Sequence, residues 1–587
     1  MKPIPSAVLP LGLIFSFLTP ARSAESSFTL PPLTVTGRTS FETLREESLA
    51  PTTVIQVDGS RSTLLDDLKW NTLFPVRSFG YPSGQNGISL GGRSIDDTQV
   101  TTLGIPLNQS IGGGADLSAF PGFLWSEVRF APSTTSAGFI QQSASGNLDL
   151  TPWSWSILSS QNEPDAPSRL TASWDRDLQT LSIGTRKSDI SILAGTSLGR
   201  QTGPAGSLSY RFLKTPQWVV YANVLGTDQE GDDPGSTTFP TPGGKKKTTR
   251  VTPSFMGHYS SSNDLSVQTT LFGDFQRLES TSSFFSSLDR TRTVGIENAI
   301  TSGDTVFSFS ARNVDFTNTT AGNYSEWPAH FGVTQKFQSA SGTRVHVTAS
   351  SEYLSGFGFH PGARVSSEVP LESNRNLFFE VQALPKLPSI QDRLYVDPSI
   401  GFTGNPNLLP ERVYAAIAGF EDRKSTIQNK TQIRAEARDQ VILIKPDFSS
   451  VENAGTAQFM SLSETISARI TPWIQVRADA LASYSRLSKN EKPYPRMPGL
   501  SAGGAVTVNP RDSLSLESQA KWMGRSREAD GSPFDAYVLL GEKIKYLASE
   551  NLILILGVDN LLDSRIEMIR GYPLPGRSAY ASAELRF

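Results

Sequence analysis

The chain has 587 residues, 53 Lys and Arg against 56 Asp and Glu, a formal net charge of −3, 37% hydrophobic residues and no cysteine. Mixed charges of near-equal number exclude nucleic acid as the main partner, and the lack of cysteine excludes a disulfide framework and thiolate metal sites. Too polar for a bundle of membrane helices, the chain is either several soluble domains or one very large sheet around a wet lumen.

The N-terminus carries Lys2, an apolar run over residues 9–18, and the small-residue stretch Ala21-Arg22-Ser23-Ala24. This is the pattern of a secretory signal peptide covering 1–24, too short for a spanning helix. Residues 25–50 form a polar leader holding LPPLTVTGR. Pro31-Pro32 disfavours helix, whereas Leu33-Thr34-Val35-Thr36 has the β-branched content of a strand with no local partner. It reads either as a strand awaiting another chain or as a disordered linker.

Residues 51–152 have a mixed texture. Val54 to Val57 reads as a short strand, and Thr63 caps a run of leucines at helical spacing up to Trp70. Gly- and Asn-rich loops follow at 83–87 and 112–114, so a compact α+β unit is expected. From residue 153 to 587 the pattern becomes long alternating strands. Leu514, Leu516, Ser518, Ala520 and Trp522 share one face against Ser515, Glu517, Gln519 and Lys521. Ile474, Val476, Ala478, Ala480, Ala482 and Tyr484 do the same, as do Ala581, Ala583, Leu585 and Phe587 in a last strand fit to close a barrel.

Such runs of about ten residues suit tilted membrane strands, whereas soluble strands are nearer five or six. Short connections at 372–376, 471–473 and 509–512 alternate with longer ones such as the stretch 226–247. At roughly 20 residues per strand and loop, this region accommodates about 22 strands, a lumen wide enough to need a plug. The fold class is therefore an all-β membrane protein, a transmembrane antiparallel β-barrel of about 22 strands occluded by the N-terminal α+β plug.

A series of motifs in order then resembles the TonB-dependent outer-membrane transporters over essentially the whole mature chain. LPPLTVTG resembles the energy-coupling box. Gly104-Ile105-Pro106-Leu107-Asn108 resembles the plug pattern DGVPLN, Asp116 to Pro121 the D-S-I-P step, and Glu127-Val128 with Pro132 the IEVLRGP segment. Gly404-Asn405-Pro406-Asn407-Leu408 with Pro410-Glu411 resembles the barrel signature GNPNLxPE, and Val558 to Asp563 with 571–577 the closing strands. Gly92 and Arg93 belong to the same plug pattern, as do Gly104 and Pro106. Three departures stand out: Gly91 sits where the first plug Arg is expected, Leu103 replaces the Asp of DGVPLN, and Phe130-Ala131 replaces the Arg-Gly of LRGP. Family arginines at these places meet barrel glutamates, so fewer charge-assisted contacts are expected to hold this plug.

The resemblance implies active uptake of a scarce metal-containing small molecule across the bacterial outer membrane, driven through TonB with ExbB and ExbD, by a monomer and without catalysis. Leu33, Thr34, Val35 and Thr36 would pair with TonB by strand addition. Tyr81, Gln85, Asn86, Asn108 and Gln109 are candidate ligand contacts on the plug's apical loops, with backbone satisfaction as the alternative. Compact loops lean toward a cobamide, with a ferric siderophore next. Four scattered histidines, His258, His330, His346 and His360, give no support to haem. No cofactor is required. Asp228, Glu230, Asp232 and Asp233 are calcium candidates without the spacing of a calcium hand, and a solvated charge run is the competing reading. Lys245 to Thr249 after Gly243-Gly244 reads as a basic loop rather than a phosphate loop. A passive porin and a barrel enzyme are the other classes. The latter would need a Ser, a His and a carboxylate together, which no sequence motif provides.

Overall fold

The computed structural model describes residues 49 and 52–587, except 58, 62, 74, 79–85, 91–92, 94, 109–113, 132–145, 160–167, 176–177, 188, 234, 238–239, 262–264, 284–285, 320–321, 398–401, 425, 446–448, 489–491 and 529. The coupling box and the signal segment lie outside the described residues, as do Tyr81, Gln85, Gly92 and Gln109.

From Arg169 to Arg586 the chain forms one closed antiparallel barrel. Its segments amount to 22 strands, because Gly322–Glu326 and Ala329–Gln338 keep a single register against Thr305–Asn318 and are one strand broken in name at Pro328. Closure joins Ser578–Arg586 to Arg169–Asp175, with Tyr580 opposite Asp175 and Arg586 opposite Arg169. The alternation expected from the sequence is realised. Leu516 and Trp522 face outward while Lys521 and Met523 are buried inward, and in the last strand Leu585 is outside while Tyr580 and Ser582 are inside. Outward residues such as Leu271, Phe255, Phe309, Val381 and Leu556 form a continuous apolar belt. An exposed apolar surface of this extent belongs in lipid. No described helix is long and apolar enough to cross a membrane.

Both ends of the wall meet at one rim, where Ser168 and Phe587 exchange backbone hydrogen bonds at 2.9 Å. Tight turns at 302–305, 372–375 and 511–514 cluster at that rim, and longer connections such as 386–411 and 439–457 at the other. The rim with longer connections is the exterior. The stretch 226–247 is not one long connection. Strands Trp218–Asp232 and Lys245–Ser260 extend through it and leave only 233–244 as loop, because Glu230 faces Lys247 and Asp232 faces Lys245 across the ladder. Opposite charges in register favour continued pairing over a loop.

Inside the barrel lies the plug. Strand β1 (Thr53–Gln56) precedes a small hairpin that pairs β2 (Val76–Ser78) with β3 (Asn86–Ile88). With β4 (Thr98–Thr102), β5 (Ile105–Pro106), β6 (Trp125–Ala131) and β7 (Gly146–Pro152), β1 builds a five-stranded sheet in the order β1-β6-β7-β4-β5. Helix α1 (Leu64–Leu68) is capped by Thr63, whose hydroxyl accepts from the Asp66 N–H. Its Leu64, Leu65 and Leu68 join Phe120, Phe123, Trp125, Leu148 and Leu150 in the main core, which extends into wall residues Leu193, Leu225 and Leu539. Inward glycines permit this approach: a Cβ on Gly195 would fall 2.5 Å from Phe123, and one on Gly541 2.6 Å from Trp70. The β4–β5 turn has left-handed φ at both Leu103 (49°) and Gly104 (90°), as a type I′ turn requires. Leu103 carries the strain that Asp or Asn would bear better, and packs instead against Trp155, Tyr221 and Met256.

Candidate functional site: the plug and its seat in the lumen

The plug is fastened by buried polar contacts, most of them near the exterior ends of wall strands. The largest seat surrounds Asp97, which follows Ile95 and Asp96 in a single 3-10 turn. One Asp97 oxygen accepts from Lys386 Nζ and from Arg438 Nη1, both at 2.8 Å, and Lys386 also donates to Asp96 at 2.9 Å. Arg438 Nε donates to Glu436 at 2.6 Å, and Glu436 also lies 3.3 Å from plug Arg93 and 2.7 Å from Arg434. Glu411, of the Pro410-Glu411 motif, accepts from the Ile442 N–H at 2.9 Å and stands 3.6 Å from Lys386. Phe459 lies between two cations, with Arg93 and Arg438 at 5.0 and 5.2 Å from its ring centroid.

Four cations thus meet four carboxylates in a largely buried cluster, and their formal charges balance. Burial alone would raise the Asp97 carboxyl, but Arg438 and Lys386 outweigh it and hold the group below the ordinary carboxylate range. Burial lowers the Arg93 guanidinium to about 10 against the pull of Glu436, so it stays charged at neutral pH.

A second seat is built on Asp559, from the Val558 to Asp563 motif. Lys69 Nζ approaches it at 2.8 Å and Arg61 at 3.5 Å, while Arg61 donates to the Asp66 carbonyl at 2.6 Å. Beside it, Lys521 Nζ donates to the carbonyls of Lys69 (2.7 Å) and Asn71 (2.9 Å), and Asp479 accepts from the Thr72 N–H at 2.8 Å. A crevice of about 720 Å³, open to solvent, runs along this seat between Leu65, Lys69 and Val76 of the plug and Tyr537, Leu539 and Met568. Third, Lys246 reaches Asp116, whose other oxygen caps the turn Leu117–Ala119 and accepts from the Asn86 N–H at 3.1 Å. Next to it Arg250 grips Asp274 with two bonds of 2.7 and 2.8 Å and donates to the Leu107 carbonyl at 2.7 Å.

Gly91 and Phe130-Ala131 bring no guanidinium to the wall, as their side chains dictate, but the plug is held by buried charge pairs of both polarities: plug Asp97 and Asp116 meet wall cations, and plug Arg93, Arg61 and Lys69 meet wall carboxylates. The sequence carries a sign of this: Arg434, Glu436 and Arg438 alternate with Ile433, Ala435 and Ala437, which puts three charges on the lumen face. Their plug partners are fixed only by the tertiary structure.

Among the candidate ligand residues, Asn86 is fully buried in the hairpin. Asn108 accepts from the Val100 N–H at 2.7 Å and donates to the Thr98 carbonyl at 2.8 Å, so its carboxamide staples the plug backbone. Arg93 is a buried anchor, and Gly104 and Pro106 shape the β4–β5 turn and offer a carbonyl to Arg250. The acidic stretch considered for calcium is largely strand: Asp228, Glu230 and Asp232 alternate along Trp218–Asp232, with Asp228 3.6 Å from Lys247 and Glu230 3.5 Å from Lys245. Asp233 begins the loop, and burial raises its carboxyl. Among the described residues no group of three His, Asp or Glu is gathered for a metal ion. The basic stretch Lys245 to Thr249 is likewise strand, which is why Lys246 alone of its lysines turns inward.

One constellation has no signature in the sequence. Ser308, His330 and Glu352 lie on three neighbouring strands, with Ser308 Oγ to His330 Nε2 at 3.4 Å and His330 Nδ1 to Glu352 at 2.7 Å. All three side chains are buried and their backbone N–H groups stand within ladders, so neither access nor an oxyanion site accompanies the row.

No protein-family model and no curated protein sequence matches the chain. Solved structures do. The siderophore receptor PirA from Acinetobacter baumannii superposes with a TM-score of 0.76 at 12% identity, over 94% of this chain and 100% of that one. A variant of the ferric enterobactin receptor PfeA from Pseudomonas aeruginosa gives 0.74 at 15%, over 94% and 100%. The FrpB iron transporter from Neisseria meningitidis gives 0.75 at 9%, over 91% and 99%. The chain therefore has the plugged 22-strand barrel of TonB-dependent outer-membrane receptors, the fold that its motifs implied.

Proposed function

We propose that the protein imports a ferric siderophore or a closely related metal chelate across the outer membrane, powered through TonB with ExbB and ExbD. The observation that carries this reading is a lumen filled by a plug whose anchors crowd the exterior end: Lys386, Glu411, Arg438 and Asp559 each stand at or next to the outer end of their strand. A passive porin has no use for such a seat, because diffusion needs an open lumen. Tyr81, Gln85 and Gln109, which lie outside the described residues, would offer stacking and hydrogen-bonding groups to such a chelate, and a ligand entering from the exterior would meet the anchored end of the plug first.

The leaning toward a cobamide gives way to the iron-chelate alternative, since the similar structures are of siderophore receptors and an iron transporter. Residues 33–36 would hand a strand to TonB, and main-chain pairing tolerates varied side chains but not a misplaced proline. Binding of radiolabelled ferric chelates and cobamides to purified protein, followed by uptake in cells with and without TonB, tests the reading. Thr34→Pro or Val35→Pro should abolish uptake and leave binding intact. Undiminished uptake in those variants, or retention of cobamides but no ferric chelate, would reject the corresponding half of the proposal.

A further inference from the structure

On the outer face of strands Leu265–Thr281 and Ser286–Ser302, Arg277 stands directly opposite Arg290, and Arg292 is opposite Phe275. The inward partners in this stretch are Asp274, Thr291 and Thr293, all buried, so the three arginines point away from the lumen. Like charges in register oppose each other across roughly 5 Å between Cβ atoms, which destabilises a ladder unless an anion lies between them. Among the described residues Arg277 pairs with Glu279 on its own strand, and no ion pair is formed by Arg290 or Arg292. The nearest other carboxylate in register is Asp315, opposite Arg292.

Height on the wall identifies the anion. From the level of Arg292 downward the outward face carries the exposed apolar residues Phe275, Leu271 and Leu265 on one strand and Val294 and Ile300 on the other, interrupted by Thr269 and Asn298, which hydrogen-bond to each other at 2.6 Å. From Leu265 to Phe275 is the length of about ten residues that a tilted strand needs to cross the hydrocarbon. The guanidiniums therefore sit at the first polar level above the belt, toward the exterior rim, where lipid phosphates lie. We propose that Arg277, Arg290 and Arg292 form a docking site for the phosphate of a phosphorylated lipid of the outer leaflet, whose acyl chains lie along Phe275 and Val294. Guanidinium forks suit this ligand because they grip phosphate oxygens in pairs, while the apolar belt directly beneath supplies a surface that a free anion cannot use. The inference is independent of the imported cargo and needs only the barrel in its membrane.

The test is native mass spectrometry of the full protein in detergent, titrated with bisphosphorylated lipid A, its dephosphorylated form, or inorganic phosphate. Arg290→Gln/Arg292→Gln is compared with Arg412→Gln, an exposed arginine on a distant wall strand, after folding is confirmed by heat-modifiable gel mobility. The bisphosphorylated lipid should bind the wild type and Arg412→Gln equally, and the double variant at least tenfold more weakly. The dephosphorylated lipid should lose at least as much on the wild type. Equal binding by the double variant, equal binding of the phosphate-free lipid, or displacement of the lipid by equimolar inorganic phosphate would each overturn the site.

Discussion

Replacing Asp97 by Asn tests whether the neutral charge cluster is what seats the plug. The substitution keeps the size and one acceptor but removes the charge that Lys386 and Arg438 each reach at 2.8 Å, in a place with no solvent to substitute. Breaking a buried pair by removing one partner costs about 3–5 kcal/mol. Here Asp96 and Glu436 still hold the two cations at 2.9 and 2.6 Å, so the low end, about 3 kcal/mol, is expected. At about 1.4 kcal/mol per factor of ten, the population with an unseated plug should rise on the order of 100-fold. Single-channel conductance in planar bilayers at moderate urea reads that population as the frequency of open events. The double variant Asp97→Asn/Lys386→Met should recover part of the loss, since it restores neutrality. An Asp97→Asn protein whose opening frequency rises less than threefold, with no coupling to Lys386, would refute the reasoning.

Three other outcomes follow from the same physics. Because the folded Asp97 carboxyl is held below its ordinary value, its contribution is complete above the unfolded pKa of about 3.9 and is lost as pH falls toward the folded value. Plug seating should accordingly be flat from about pH 8 to 5 and weaken below about 4, and Asp97→Asn should flatten part of that acid limb in the conductance assay. Leu103→Asn relieves about 1 kcal/mol of left-handed strain and gives up a comparable amount of packing against Trp155 and Met256, so it should melt within about 1 kcal/mol of wild type. Leu103→Ala keeps the strain and loses the packing, so it should be the less stable of the two by calorimetry. Leu271→Arg places a charge on the lipid face midway up its strand and should cost about 2–4 kcal/mol in urea-driven folding into vesicles, against less than about 1 kcal/mol for Thr281→Arg near the rim.

The period-two alternation determined the barrel by itself. Once Leu516 and Trp522 must share a face opposite Lys521, a strand long enough to cross lipid has only one way to satisfy its backbone, which is lateral pairing to closure. Local chemistry likewise settled the cap at Thr63, since it depends on neighbours within a few residues. Strand ends were less legible. Glycine and proline in 226–247 suggest loop, but the pairing of Glu230 with Lys247 belongs to two strands that only tertiary structure sets side by side. The same holds for the plug's seat, where Asp97 and Arg438 are 341 residues apart. That Gly91 and Phe130-Ala131 carry no arginine is visible locally, yet it is silent about aspartates meeting cations across the lumen. Electrostatic partners depend on distance in space, which alternation along a strand does not encode. Hydrophobic periodicity therefore fixed the vessel, and folding alone decided what fastens its stopper.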